Sequence, residues 1–237
     1  IGEYELIDTG IFDDNRYFDA FVEYAKTSPN DILIRLTFCN RGPEAAPLHV
    51  LPTLWYRNTW IWGCTYEDCT ARSVIDLGDD GTCITEHETL GRFEFAADEG
   101  PDRGRPRWLF TENESNAQRL WGTPNKRPYV KDSLHDYVIH GCEEAVNPKN
   151  WGTKVAAYYA LQVPAGEQVT LRLRLWSSDE EQIGPFGAPF DQIFETRIQE
   201  ADRFYDRCIG PGLGPEQRNV ARQAYAGLLW TKQFYHY

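Results

Sequence analysis

VAAYYALQVPAGEQVTLRLRLW, residues 155–176, decides the fold class of this chain. In its second half Val169, Leu171, Leu173 and Leu175 alternate with Thr170, Arg172 and Arg174. A period of two sends alternate side chains to opposite faces, so this is a strand with one buried face and one wetter face. Pro164-Ala165-Gly166 supplies turn chemistry between it and the apolar run 155–163, and the two runs read as the last hairpin of a β-rich region.

Upstream the same period recurs. In 31–40, Ile32, Ile34, Leu36 and Phe38 share one face while Arg35 and Thr37 share the other. The connection Arg41-Gly42-Pro43-Glu44 leads into 48–56, where Pro52 lacks a ladder donor and so implies an edge or bulged strand. Residues 1–9 and 17–24 read as two strands about Asp13-Asp14-Asn15. Gly78-Asp79-Asp80-Gly81 separates 73–77 from 82–87 as a hairpin turn. Its two aspartates resemble half a calcium loop, but the remaining spaced oxygen ligands are missing, which favours an ordinary turn. The meander continues through 92–96, a Gly- and Pro-rich loop over 98–107 and a short strand at 107–111. Residues 112–149 read as one long irregular loop carrying Trp121, Tyr129, His135, Asp136, Tyr137 and His140, a place where function or domain docking tends to sit. His135 and Asp136 are sequence neighbours, and in an extended segment they would point apart, a poor geometry for a proton relay.

Downstream the period changes to 3.6. Phe190, Ile193, Phe194, Arg197, Ile198, Ala201, Phe204, Tyr205 and Cys208 fall along one helical face, and Gly210 to Pro215 ends that helix. Pro215 and Glu216 open a second one. Val220, Ala224, Leu228, Thr231 and Tyr235 form its stripe, yet Tyr225, Leu229, Trp230 and Phe234 make it apolar on several sides. Such a helix expects neighbours all round. The chain has no methionine, even at position 1, and stops at Gln233-Phe-Tyr-His-Tyr237 within a helical pattern. It therefore reads as a piece of a longer protein with three parts: a β domain over 1–177, a helical linker over 178–214, and the start of a helical domain over 215–237.

Composition narrows the function classes. A net charge of −12 opposes nucleic acid and anionic membrane as partners, because polyanion affinity depends on Lys and Arg displacing counterions. No apolar run approaches a membrane span. The six cysteines are spread thinly through the chain and read as reduced thiols, and Cys64-x4-Cys69 has no second close pair to complete a zinc site. Neither a nucleophile elbow, a phosphate-cradling loop nor a zinc-protease helix motif occurs. The acidic pairs Asp13-Asp14, Glu86 with Glu88, and Glu180-Glu181 read as turns or solvated faces. No catalytic residue, metal ligand or cofactor is assigned, with a structural calcium ion left open.

The candidate site is the aromatic stretch HVLPTLWYRNTWIWG, residues 49–63. Arg57, Asn58, Trp60 and Trp62 are the candidate pocket-wall residues, since flat rings beside forked polar groups suit a sugar or a docked domain. Tryptophans beside a strand also serve as core or interface. Trp55, Phe194, Trp230 and Phe234 are accordingly the candidate domain-interface residues.

The ordered series Tyr4-Glu-Leu-Ile-Asp-Thr-Gly-Ile-Phe-Asp13, Asn40-Arg-Gly-Pro43, Leu51-Pro-Thr-Leu-Trp55, Arg57-Asn-Thr-Trp60, Val130-Lys-Asp132 and Arg222-Gln-Ala-Tyr-Ala-Gly-Leu-Leu-Trp-Thr-Lys-Gln-Phe-Tyr235 resembles bacterial glucosidase-like proteins of glycoside hydrolase family 63, over essentially the whole chain. The resemblance implies a galactose mutarotase-like β-supersandwich, a helical linker and the first helix of a truncated (α/α)6 barrel. It implies inverting hydrolysis of α-glucosidic or related bonds, with one carboxyl group protonating the leaving oxygen and another activating water. Those carboxylates sit later in the family's barrel, beyond this chain, so the fragment is expected to be silent alone. Its partners would be the missing helical barrel and an oligosaccharide, and the family suggests the cytoplasm. Rival expectations are a free carbohydrate-binding module and a purely structural docking domain.

Overall fold

The computed structural model describes residues 2–61, 72–180 and 184–231. The chain is mainly β with antiparallel sheets and a few helices, and it divides into two compact units, Ile1–Phe186 and Gly187–Tyr237. No helix among the described residues is long and apolar enough to cross a membrane.

The first unit contains two sheets. The larger has seven strands: β1 (Phe18–Ser28), β2 (Asp31–Asn40), β5 (Ile75–Leu77), β6 (Cys83–His87), β7 (Gly91–Ala97), β9 (Trp151–Gly152) and β11 (Gln168–Ser177). Their order is β1-β2-β11-β7-β6-β5-β9. The smaller holds β3 (Ala46–Val50), β4 (Thr53–Trp55), β8 (Arg107–Thr111) and β10 (Lys154–Val163), with β10 paired to the other three. One core serves both. Val155, Ala157, Tyr159, Leu161 and Val163 of β10 are buried in the same cluster as Val169, Leu171 and Leu173 of β11. Period-two alternation thus fills the space between layers, as the pattern of 155–176 requires.

The hairpin expected over 155–176 is not formed. β10 belongs to the small sheet while β11 lies between β2 and β7 of the large one. Pro164 to Glu167 carries the chain across. The crossing is fixed by Asn40, whose Nδ2 donates to the carbonyls of Val163 at 3.0 Å and Glu44 at 2.9 Å, while its own N–H donates to Glu167 O at 2.9 Å. Local turn chemistry is the same for a hairpin and a layer crossing, so the partners of each strand decide between them.

Pro52 behaves as its chemistry demands. β3 and β4 lie in one unbroken register on β10, Val50 opposite Tyr159 and Thr53 opposite Ala156. Between them Pro52 donates nothing, but its carbonyl accepts from Ala157 N–H at 3.0 Å. The turn at 78–81 likewise closes on itself, with Gly78 N–H to Thr82 O at 2.8 Å and Asp80 Oδ1 accepting from Thr82 N–H at 2.9 Å.

Two further stretches differ from the sequence reading. Residues 1–9 do not form a strand: Leu6–Thr9 is a 3-10 turn, closed by Gly10 at φ 71° and by the Glu5 N–H bond to Asp8 at 2.8 Å. Side chain to backbone bonds there replace a ladder. Residues 112–149 contain α1 (Ala117–Trp121) and α2 (Ser133–His140). Leu134 and Tyr137 of α2 pack with Leu109, Val146 and Ala156, covering the far face of the small sheet. His135 and Asp136 are therefore helical neighbours, and His135 is exposed.

In the second unit, α3 (Ala188–Cys208) and α4 (Pro215–Trp230) are joined by ion pairs. Arg222 reaches Asp202 at 2.6 Å, Arg218 meets Asp206, and the Arg222 guanidinium lies 4.7 Å from the Tyr205 ring centre.

Candidate functional site

The end of β4 delivers the aromatic stretch to one end of the small sheet, where the segment after β8, on the other side of β10, meets it. The two are clasped reciprocally. Asn58 Nδ2 donates to Asn113 O at 2.8 Å, and Asn113 Nδ2 donates to Tyr56 O at 2.8 Å. One turn further on, the Trp60 indole N–H donates to Glu114 Oε1 at 3.0 Å. Glu114 also receives Arg127 Nε at 3.4 Å. Its neighbour Glu112 is salt-bridged to Arg72 and accepts from the Thr153 hydroxyl at 2.9 Å.

Both glutamates are buried. A carboxylate taken from water must find cations and donors, and Arg72, Arg127, Trp60 and Thr153 supply them. The backbone reinforces the arrangement: Glu112 N–H donates to Tyr129 O at 2.7 Å and Lys131 N–H to Glu114 O at 3.1 Å. Each acid is neutralised by its own arginine, so the pair forms a charge-paired frame that aims the loop rather than a free acid and base facing a common point. Tyr56 anchors the other side, its hydroxyl 2.8 Å from Thr85 Oγ1 and its ring stacked on His87. Burial pushes the Tyr56 phenol up, opposed by the Thr85 bond.

Of the candidate residues, Asn58 and Trp60 are half-buried and fixed in this frame, and Arg57, just before them, is exposed. Trp62 lies outside the described residues. Among the candidate interface residues, Trp55 is exposed with Lys154 Nζ 5.9 Å from its ring centre. Burial first, and Lys131 second, pull the Lys154 ammonium below its ordinary range. Phe194 is buried with its ring 5.3 Å from that of Phe190. Trp230 is 85% exposed, and Phe234 lies outside the described residues.

Glu112, Asn113 and Glu114 were not singled out in the sequence, although a signal was there. Thr111-Glu-Asn-Glu-Ser115 places acids and an amide directly after the buried Leu109-Phe110 pair, without the Gly or Pro of an ordinary turn. Arg72, Arg127 and Thr153 reach the same place from three other segments, which no local pattern reveals.

Among the described residues no cluster of His, Cys, Asp or Glu could hold a metal ion. Cys39, Cys83, Cys142 and Cys208 are free thiols, while Cys64 and Cys69 lie outside the described residues.

No family model matches the chain. The whole chain aligns over 266 positions, at 36% identity, with an uncharacterized protein of Saccharomyces cerevisiae, YMR196W. It spans 24% of that protein's length, so what it resembles is about a quarter of a much larger polypeptide.

Proposed function

We propose that this chain is the non-catalytic N-terminal part of an inverting glycoside hydrolase acting on α-glucosidic or related bonds. Its first unit is a galactose mutarotase-like β-supersandwich, α3 is the linker helix, and α4 is the first helix of an (α/α)6 barrel. The observation that carries the reading is the state of α4. Leu228 is 74% exposed and Trp230 85%, with Val220 and Leu229 also open, a load of apolar surface that an isolated helix pair does not bury. The two sheets sharing one core and the greater length of the yeast relative support it.

In this reading the general acid and the base that activates water belong to the barrel, and this chain supplies structure around them. The clasped loop is a pocket wall. Arg57 hydrogen-bonds a substrate hydroxyl or a barrel carboxylate, and Asn58, Trp60 and the Glu114 frame hold it in place. The partners are the barrel and an oligosaccharide, with no nucleic acid or membrane, and the compartment is the cytoplasm. A free carbohydrate-binding module is less well supported, because Trp60 is half-buried and its indole N–H is committed to Glu114.

The test is release of glucose from a panel of α-linked disaccharides, measured on this chain and on a longer polypeptide that continues through a downstream helical region. Activity in the longer form alone supports the proposal. Activity in this chain would place the catalytic carboxylates within it and overturn the reading. Arg57→Ala and Trp60→Ala in the longer form should lower kcat/KM, and unchanged kinetics would remove them from the pocket wall.

A further inference from the structure

The free strand edges of the first unit are not equally protected. An edge offers unpaired N–H and C=O groups to any other strand, and folded proteins blunt it with short strands, proline or bulges. β9, at one end of the large sheet, has two residues, and β3, at an edge of the small sheet, contains Pro47. β1, at the other end of the large sheet, is 11 residues long without glycine or proline, and its register on β2 is unbroken from Phe18 to Lys26. Among the described residues β1 pairs with β2 alone, and its Phe21, Val22 and Tyr24 are each more than half exposed.

Hydrogen-bond parity decides which residues present this edge. Arg41 N–H donates to Tyr17 O at 2.9 Å, in register with the β1–β2 pairs. Tyr17 and every second residue after it, Asp19, Phe21, Glu23 and Ala25, therefore aim their main-chain groups at β2, and Phe18, Ala20, Val22, Tyr24 and Lys26 aim theirs outward. The outward set is its own antiparallel complement. With Val22 opposite the same residue of a second copy, Ala20 meets Tyr24 and Phe18 meets Lys26, so small faces large and an ammonium lies against a ring.

Charge selects this register. Asp19 then faces Ala25 and Glu23 faces Phe21. Sliding the second copy by one step of the ladder sets Glu23 opposite Asp19 in one direction and opposite Glu23 in the other, and like charges directly opposite are destabilising. Each acid already has a cation within its own chain, Arg35 on Glu23 at 2.7 and 2.9 Å and Arg41 on Asp19 at 2.6 Å, so the edge presents neither acid unmatched.

We propose that two copies of this chain pair antiparallel along β1, about a two-fold axis at Val22, joining their large sheets into one. The inference does not rest on the glycosidase reading, since it concerns association of this chain with itself.

Sedimentation equilibrium of the chain from about 1 to 100 μM tests it, the range expected when little more than one strand from each copy forms the contact. The expected result is a reversible monomer–dimer equilibrium. Val22→Lys sets two ammonium groups opposite each other at the axis and should raise the dissociation constant about tenfold or more. Val22→Pro removes an outward donor and no bond to β2, so it should weaken the dimer while the far-ultraviolet circular dichroism stays that of the parent. Register is read by mild oxidation and peptide mapping of Val22→Cys, whose two introduced thiols belong to residues about 5.5 Å apart at Cα, within disulfide reach. Tyr24→Cys, facing Ala20, should not bridge to itself. A chain that stays monomeric throughout that range would leave the edge to some other strand and overturn the proposal. So would a dimer unchanged by Val22→Lys, or a bridge formed by Tyr24→Cys and not by Val22→Cys.

Discussion

Arg174 grips Asp31 with two parallel bonds, Nε to Oδ1 at 2.8 Å and NH2 to Oδ2 at 2.6 Å, across the β2–β11 pairing. Both are buried, Asp31 at 1% and Arg174 at 5% exposure. Arg174 also donates from NH1 to the carbonyls of Gly184 and Pro185, tying down the chain after β11. The face of β11 that carries the arginines is therefore not wet along its whole length. Removing one partner strands a buried charge: Arg174→Ala or Asp31→Ala should cost roughly 3–5 kcal/mol in urea unfolding. Replacing both by apolar residues, Asp31→Leu with Arg174→Met, should recover most of that loss. A single replacement costing under about 1 kcal/mol would show that water reaches the pair.

Trp60 and Glu114 act as one unit. Trp60→Phe removes the indole donor to a buried carboxylate, and Glu114→Gln removes the charge that Arg127 and Trp60 share. Each should destabilise the chain by about 1–3 kcal/mol. The double variant should fall short of the sum by about 0.5 kcal/mol or more, the mark of a shared interaction. Strict additivity in thermal or urea unfolding would mean that the two groups do not meet.

Gly152 is a packing requirement of the same region. A Cβ there would run into the Thr111 carbonyl, because β9 crosses the end of β8 backbone to backbone. Neither side is a flexible side-chain tip that could swing away. Gly152→Ala should cost roughly 1–3 kcal/mol through overpacking.

What was legible in the sequence follows from the range of each interaction. The strands over 31–40 and 168–177, the break at Pro52, the turn at 78–81 and the two terminal helices are encoded within a few residues, by period or by turn chemistry. Strand partners are not. Pro164-Ala165-Gly166 turns a chain equally well into a hairpin or across to a second sheet, and the Asn40 bonds that settle it come from 123 residues away. The eight residues of α2 span little more than two turns, too few for a period to stand out, although Leu134, Tyr137 and Val138 have helical spacing. At the candidate site the sequence exposed the aromatic half, through its composition. The acidic half became visible only when Arg72, Arg127 and Thr153 converged on Glu112 and Glu114.

Stability should fall on the alkaline side, where two deeply buried groups, joined by the Tyr56 phenol that burial also pushes up, stay protonated in the folded chain. Burial, with Asp76 and Asp80 nearby, pushes the Cys83 thiol well above its ordinary 9.0. Burial, with the charge of Asp98, does the same to the Tyr159 phenol, whose ordinary value is 10.0 and whose hydroxyl donates to Asp98 O at 2.7 Å. In the unfolded chain both lose protons at their ordinary values, whereas the folded chain keeps them. The folded state then binds more protons, and stability falls as pH rises past 9 and further past 10. Lys154 acts in the opposite sense, its folded value lying below 10.5, so it offsets part of the loss until it too is neutral when unfolded. Urea unfolding from pH 7 to 11 should show a decline that steepens above pH 9. Cys83→Ala and Tyr159→Phe should each lower stability at pH 7, through a lost contact or hydrogen bond, yet flatten the alkaline limb. A wild-type chain with constant stability across that range would mean that neither group is held in its neutral form by the fold.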